Sequence, residues 1–356
     1  MHTRTFLAAA VGLGLVTLSA CSSSSGSEAD SRTVTLVSHD SWAVSKNVLR
    51  DFEKQSGYKV RVLKDGDAGQ AVNKAILTKD DPQGDVFFGV DNTLLSRALD
   101  NGLFQPYEAK GLGTVGTAYQ LDAAKHRVTP IDYGDICVNY DKAYFSKHKL
   151  TPPTSYADLV KPQYKNLLVT ENAATSSPGL GFLLGSAAQY GDSGWQDYWK
   201  KLQANGVKVV DGWEQAYNED FSGSAGGKKA GGDRPLVVSY ASSPPAEVIY
   251  ADPKPSTAPT GVATGTCFRQ IEFAGLLSNA GNTKGGKALI DFLVSKEFQE
   301  DMPLNMFVYP VVKGASVPAE FTKYGPAAQD PETMAPDKIA ANRDQWVKTW
   351  TSLVLK

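Results

Sequence analysis

VTLVSHDSWAVSKNVLRDFEKQSGYKVRVL, residues 34–63, decides the fold. Val34 to Ser38 is a short apolar run rich in β-branched residues, which reads as a buried strand. Ser45 to Gln55 sets Val48, Leu49 and Phe52 on one helical face, and Gly57 can stop that helix. Lys59 to Leu63 then alternates as a strand does. The pattern repeats downstream. Gly69 to Thr78 carries Val72, Ala75 and Ile76 as a helical stripe, Val86 to Val90 is a second buried run, and Asp91 can cap a helix through Leu94, Leu95, Ala98 and Leu99. This strand–helix order predicts a mainly parallel sheet with helices on both faces.

A second set of units starts near Ile136. Ile136 to Tyr140 reads as a strand, Ser155 with Asp158 approximates a capping box, and Leu167 to Thr170 forms the next strand. A helix is predicted after Pro178 and another over Trp195 to Gln203. Strands follow over Val207 to Val210, Pro235 to Tyr240 and Cys267 to Phe273, with Trp213 to Phe221 helical between the first two. A helix from Lys284 to Val294 comes next. The chain closes on an amphipathic helix whose one face carries Ile339, Arg343, Trp346, Trp350 and Leu353. Two α/β halves with crossings near 130 and 270 predict two lobes joined by at least two strands, with a ligand cleft between them and hinges at the crossings.

Ahead of this, Arg4 and the charge-free apolar run Phe6 to Leu18 lead into Leu18-Ser19-Ala20-Cys21, a lipobox. Cleavage before Cys21 leaves its thiol to carry diacylglycerol, and several acyl chains hold a soluble domain at a membrane face. Residues 1–20 are therefore expected to be a signal peptide and 21–32 a flexible polar tether, which makes the protein a lipid-anchored one on the extracytoplasmic face of the cell membrane. Removal of the signal leaves 35 basic against 38 acidic residues, a balance that excludes nucleic acid as an expected partner. Cys21 aside, two cysteines remain outside the cytoplasm, Cys137 and Cys267. A bridge between them would close a loop of about 130 residues, stabilising by about 4–5 kcal/mol in the chain-entropy model. Two separate buried thiols are the alternative. Four scattered histidines without a CxxC or HxxxH spacing give no metal-ligand set.

Catalytic patterns fail in turn. SGSAGGKKAGGDRP, residues 222–235, lacks the phosphate-loop spacing, since Ser222 replaces the first glycine and Lys229 the metal-binding hydroxyl; it reads as a flexible surface loop. Ser146 to Lys149 is an SxxK without companion motifs, and no GxSxG or HExxH occurs. The stronger candidates lie at strand ends, where open α/β sheets bind ligands. His39-Asp40-Ser41-Trp42 follows the first strand, Asp65-Gly66-Asp67 the second, and Asp91-Asn92 the third. Acids on one rim favour a cation, although Asp40 and Asp91 would also serve as helix caps and Asp65 as a turn residue. Ser176-Ser177-Pro178-Gly179 opens a helix and can hold an anion or a hydroxyl. Trp213 and Tyr217 stand one helical turn apart, and Tyr240-Ala241-Ser242-Ser243 ends a strand. Aromatic faces beside acids suit a cationic heteroaromatic ligand.

HDSW from His39, GVDNTLL from Gly89, DYGDICVNYDK from Asp132, SSPGLGFLL from Ser176, DGWEQAY from Asp211, VVSYASSP from Val237 and VYPV from Val308 resemble, in order and spacing, the thiamine-binding proteins of ABC importers. These belong to the type II periplasmic-binding class, which also holds ferric-iron and polyamine binders. The resemblance implies two α/β lobes closing on a ligand, here residues 33–130 with about 270–305, and 131–269 with about 306–356. It implies no enzyme activity, no cofactor and no metal, an ABC permease as partner, a monomer, and thiamine or a thiamine phosphate as ligand. Carried over by position, Asp65 matches an acid near the ligand amine, and Ser176 with Ser177 the hydroxyl- or phosphate-end contacts. Trp213 matches an indole wall, and Tyr217, Tyr240 and Ser243 its neighbours. His39, Asp40, Ser41, Asp91, Gly179, Phe307 and Tyr309 complete the expected ligand set. The chain departs from the family at His39, where a tyrosine can stand, at Phe307, where a tryptophan can, and at Ala246, where an aromatic is absent. The thiazolium charge is fixed, so binding is expected to change little with pH. Another organic cation such as a polyamine, ferric iron, or a cell-surface hydrolase on the same frame are the alternatives.

Overall fold

Of the 356 residues, the computed structural model describes residues 32–355. The lipobox, Cys21 and the tether up to Ser31 lie outside the described residues. Ten strands form one curled mixed sheet: β1 Thr33–Ser38, β2 Lys59–Lys64, β3 Val86–Asp91, β4 Phe104–Gln105, β5 Thr129–Asp141, β6 Leu168–Glu171, β7 Lys208–Val210, β8 Leu236–Tyr240, β9 Thr260–Leu277 and β10 Tyr309–Pro310. Their order is β2-β1-β3-β9-β5-β8-β6-β7, with β4 on β9 and β10 on β5.

The two ends of the sheet are parallel, as the strand–helix alternation requires: β1 pairs in parallel with β2 and β3, and β6 with β7 and β8. The middle corrects the expectation of a mainly parallel sheet. β5 runs antiparallel to both β8 and β9, and β9 runs antiparallel to β3. The sequence showed only the cores of β5 and β9, because Pro130, Gly261, Gly265 and Gly275 punctuate both strands and read as breaks. The structure absorbs two of these breaks in register shifts, one between Pro130 and Asp132 and one between Ile136 and Val138. This is the two-lobed α/β architecture, with two parallel groups of strands and two long strands running between them.

At the second register shift, Ile136 faces Phe268 but Val138 faces Ala263, so residues 264–267 stand out of the ladder beside Cys137. The Thr266 hydroxyl accepts from the Val138 N–H at 2.8 Å, which satisfies a donor that the bulge would orphan. Cys137 and Cys267 are joined here by a disulfide between neighbouring strands.

The helices match the apolar stripes that predict them. Lys46–Ser56 buries Val48 and Phe52 and ends on Gly57 in the left-handed conformation. Two predicted helices join as Ser177–Ala204 with a break at Gly191, where φ is 71°. In the last helix, Pro336–Val354, the buried face is Ile339, Arg343, Trp346, Trp350 and Val354, one position beyond the predicted Leu353. Trp350 meets Trp199 edge-on at 5.4 Å.

The glycine-rich stretch is not the flexible loop expected. Ala225–Ala230 is a short helix whose N-cap, Ser224, accepts from the Gly227 N–H at 2.9 Å. Gly227 packs so tightly that an added Cβ would lie 1.8 Å from the Phe221 carbonyl oxygen. Gly227 and Gly232 serve close approach of backbones rather than freedom of motion.

Losing the Cys137–Cys267 bridge should cost about 2–5 kcal/mol, because it closes a long loop. Guanidinium unfolding with and without reductant checks this, with the double variant Cys137→Ser/Cys267→Ser expected to match the reduced protein.

Candidate functional site: an acid-lined aromatic cleft

A cleft of about 680 Å³ opens where the carboxyl ends of β1 and β2, the starts of the helices at Ser177 and Trp213, the end of β8, strand β9 and the segment at Phe307 converge. One wall is aromatic. Trp213 stacks on Tyr217 with centroids 5.0 Å apart and planes within 13°. One α-helical turn, Trp213–Gln215, running on into a π-helical turn, Ala216–Asp220, carries both rings. The indole is fixed at its edge: Trp213 Nε1 donates to Ser239 Oγ at 2.9 Å, and Ser239 is bonded to Ser243 Oγ at 2.9 Å. Tyr217 OH donates to Glu247 Oε1 at 3.1 Å. Tyr240 and Phe307 line the cleft as well, and Phe307 is T-shaped to Tyr250 at 5.7 Å.

Carboxylates surround this wall. Asp40, Asp67, Asp211, Glu214, Glu247 and Glu272 all line the cleft, against Lys64 as the single Lys or Arg among the lining residues. Asp67 Oδ2 accepts from the Trp213 N–H at 2.8 Å, so one strand-end acid fixes the aromatic helix on the opposite wall. Ser41 Oγ to Glu214 Oε1 at 3.1 Å and Gln70 N to Thr175 O at 3.0 Å span the same gap.

The floor is a buried acid pair. Asp132 on β5 and Glu272 on β9 are register partners. Burial pushes the Glu272 carboxyl up to about 8, with the charges of Asp91 and Asp67 adding to the rise. Burial, and then the Glu272 charge, raise Asp132 well above the usual carboxylate range. Two buried acids on facing positions disfavour ionising together. His39 Nε2 lies 3.3 Å from Glu272 Oε1, and burial pulls the imidazole below its ordinary value in spite of Asp67 and Asp132 nearby. Gly89 makes the room: it has φ 107°, and a Cβ there would lie 2.4 Å from His39 Cδ2.

The expected ligand set divides. His39, Asp40, Ser41, Ser177, Trp213, Tyr217, Tyr240, Ser243 and Phe307 line the cleft. Asp65, Asp91, Ser176, Gly179 and Tyr309 stand outside its lining. Asp65 pairs with Lys74 Nζ at 2.5 Å, while Asp67, two residues on, faces the cleft. Asp91 is fully buried behind Ser177, whose hydroxyl it accepts from, and Gln270 Nε2 donates to both, at 3.0 Å and 2.8 Å. Ser176 Oγ is buried. Gly179 packs on the Glu171 carbonyl, and Tyr309 stacks on Tyr133 at 5.2 Å. Trp42 and Asp67 were candidates at the strand ends but not in the expected ligand set; Gln70, Glu214, Glu247, Tyr250, Gln270 and Glu272 were not anticipated. Gln270 and Glu272 had a signal: they are polar residues at period two, on one face of the strand run Cys267 to Phe273, which also carries Arg269. Among the described residues, no group of three or more His, Cys, Asp or Glu is placed to hold a metal ion.

Fold and cleft together define an extracytoplasmic solute-binding protein. Residues 81–241 match the family model for bacterial extracellular solute-binding proteins. The thiamine-binding periplasmic protein of Salmonella typhimurium is 30% identical over 327 residues, 90% of this chain and 93% of that one. That of Brucella suis is 27% identical over 89% of this chain and 91% of the relative. A solved periplasmic thiamin-binding protein superposes with a TM-score of 0.78 at 26% identity, covering 90% of this chain and 96% of that one. A ferric-binding protein from Campylobacter jejuni, at 18% identity and a TM-score of 0.70 over 90% of this chain and 99% of that one, shares the fold. The chain belongs to the family of thiamine-binding periplasmic proteins.

Because Glu272 titrates near 8 when folded and near 4.5 when unfolded, the folded state binds the proton more tightly. Its contribution to stability is complete below the unfolded value and is lost as pH climbs through about 8. The ligand-free protein should therefore melt a few °C lower at about pH 8.5 than at about pH 5.5, and Glu272→Gln should remove part of that fall. Calorimetric melts across pH check both.

Proposed function

We propose that this protein captures thiamine in the acid-lined cleft and delivers it to an ABC permease, tethered to the extracytoplasmic membrane face through lipid on Cys21. Residues 33–130 with about 270–305 would form one lobe, and 131–269 with about 306–356 the other. The observation that carries the reading is the Trp213–Tyr217 stack set among carboxylates. A thiazolium is a flat cation that cannot lose its charge. Against an indole face it gains about 0.5–2 kcal/mol from the ring quadrupole. Surrounding acidic side chains add Coulomb attraction. Family membership supports the ligand class, and the lipobox supports the tether.

Capture by this arrangement needs no bond chemistry. Hydrogen bonds already cross the cleft, from the Trp213 N–H to Asp67 and from the Ser41 hydroxyl to Glu214, so closure around a ligand has partners ready on both walls. A linear polyamine is the competing ligand, because six acidic side chains in one cleft also suit a chain of ammonium groups.

Isothermal titration of the mature protein should give heat with thiamine and much less with spermidine, and Trp213→Ala should weaken thiamine binding about tenfold. An unchanged affinity would take the indole out of the site. The pH independence expected from the ligand's fixed charge does not survive the acid pair on the floor. A cation binds better when Glu272 has lost its proton and when His39 is neutral. Thiamine affinity should thus rise from about pH 6.5 to about pH 8.5 and flatten in Glu272→Gln. Titrations at several pH values read this directly.

A further inference from the structure

We propose that the β2 edge of the sheet, with the helix Lys46–Ser56 that leads into it, is a docking surface for anionic phospholipid. The inference rests on the lipid tether proposed above and adds the face of the protein that meets the membrane. β2 is an outer edge of the sheet. On the helix, Val48 and Phe52 are buried, and Lys46, Arg50 and Lys54, four residues apart, form one exposed stripe on the opposite side. β2 adds exposed Lys59 and Arg61, and exposed Arg32 stands beside Lys59, whose N–H donates to the Arg32 carbonyl at 2.7 Å. Among the described residues, Lys54 alone of these six is in an ion pair, with Asp51 at 3.1 Å. The helix also carries Glu53, which accepts from the Val60 N–H at 3.2 Å. At the start of the helix Asp301 accepts from the Ser45 N–H, so the patch is most basic toward the helix end, at Arg50, Lys54, Lys59 and Arg32.

The charge is local. Residues 32–64 hold seven Lys or Arg against three Asp or Glu, with Glu28 and Asp30 ahead of them, whereas residues 65–356 hold 28 against 33. Cations on an edge strand deter the addition of another strand, which accounts for Lys59 and Arg61. It does not account for the helix, where like charges four residues apart weaken the element that carries them. An anionic surface turns that repulsion into attraction, which each Lys or Arg adds to within a Debye length. The chain itself brings the surface near. Cys21 lies eleven residues before Arg32, so even a fully extended chain keeps Arg32 within about 40 Å of a bilayer that holds the lipid. Confinement at that distance raises the effective concentration of the patch at the membrane. β1 and β2 are parallel and the helix between them runs the other way, so Lys54, Lys59 and Arg32 lie at the strand starts. The cleft lies at the ends of the same strands. Docked on this edge, the receptor would hold its cleft toward solvent, the posture that capture requires.

The test is co-sedimentation of the mature chain carrying Cys21→Ser, which cannot be lipidated, with vesicles of phosphatidylglycerol or of phosphatidylcholine at about 50 mM salt. Binding to phosphatidylglycerol is expected to be at least about tenfold tighter. The triple variant Arg50→Gln/Lys54→Gln/Lys59→Gln should lose most of that preference. A control, Lys200→Gln/Lys201→Gln/Lys348→Gln, removes the same charge from exposed lysines on other helices and should keep it. Equal binding to the two lipids overturns the inference. So does a preference that survives the first variant, or one lost equally in both, since net charge alone would then act. Thiamine titration of the first variant should match the parent chain, because none of its three positions lines the cleft; this shows that it is folded and keeps the receptor reading separate. Absence of labelled palmitate on Cys21 in cells would overturn the tether, and this inference with it, while leaving the thiamine receptor standing.

Discussion

Everything in this molecule hangs on the antiparallel pairing of two long strands, Thr129–Asp141 and Thr260–Leu277. They join a parallel group at one end of the sheet to a parallel group at the other. Because their registers are fixed, Asp132 meets Glu272 on the cleft floor and Cys137 comes beside Cys267 where the ladder is broken. A one-residue slip would turn every inward side chain outward. The disulfide and the Thr266–Val138 hydrogen bond pin the register at the point where the bulge would otherwise let it slide.

The cleft built above this floor uses carboxylates for two purposes. Asp67, Asp91 and Glu247 fix the protein's own parts, holding the starts of the segments at Trp213, Ser177 and Ala225. Glu272 and Asp132 are buried acids, and burial raises both carboxyls, Glu272 to about 8. In the proposed complex a permanent cation would offset the charge that Glu272 gains on losing its proton. The ligand's charge is constant, and the pH sensitivity belongs to the receptor.

Much of the fold was legible because its signals are local. The strands Thr33–Ser38 and Val86–Asp91 are short β-branched or aromatic runs, and the helix Lys46–Ser56 has its stripe and its terminal glycine in sequence. The antiparallel middle was not legible, since Pro130 and Gly265 look like breaks until a bulge accommodates them. The glycine-rich segment misled for a related reason: composition suggests freedom, whereas Gly227 is required by the nearness of the Phe221 carbonyl. At the site, Trp213 and Tyr217 were readable from their helical spacing. Asp65 and Asp67 were not separable, because which of two acids in a turn faces Lys74 and which faces the cleft depends on the helix packed beside them.

By itself the sequence determined the α/β class, the aromatic pair, the two cysteines available to each other and the serine–proline helix start, because each rests on residue type and spacing along the chain. The tertiary structure alone decided which acids line the cleft, that Ser177 is committed to Asp91, and that Glu272 keeps a proton beside His39. Those properties arise from burial and from contacts between residues far apart in sequence, such as Asp91 with Ser177 and Asp67 with Trp213. Desolvation and Coulomb interactions depend on distance through space. Local pattern carries no record of that distance.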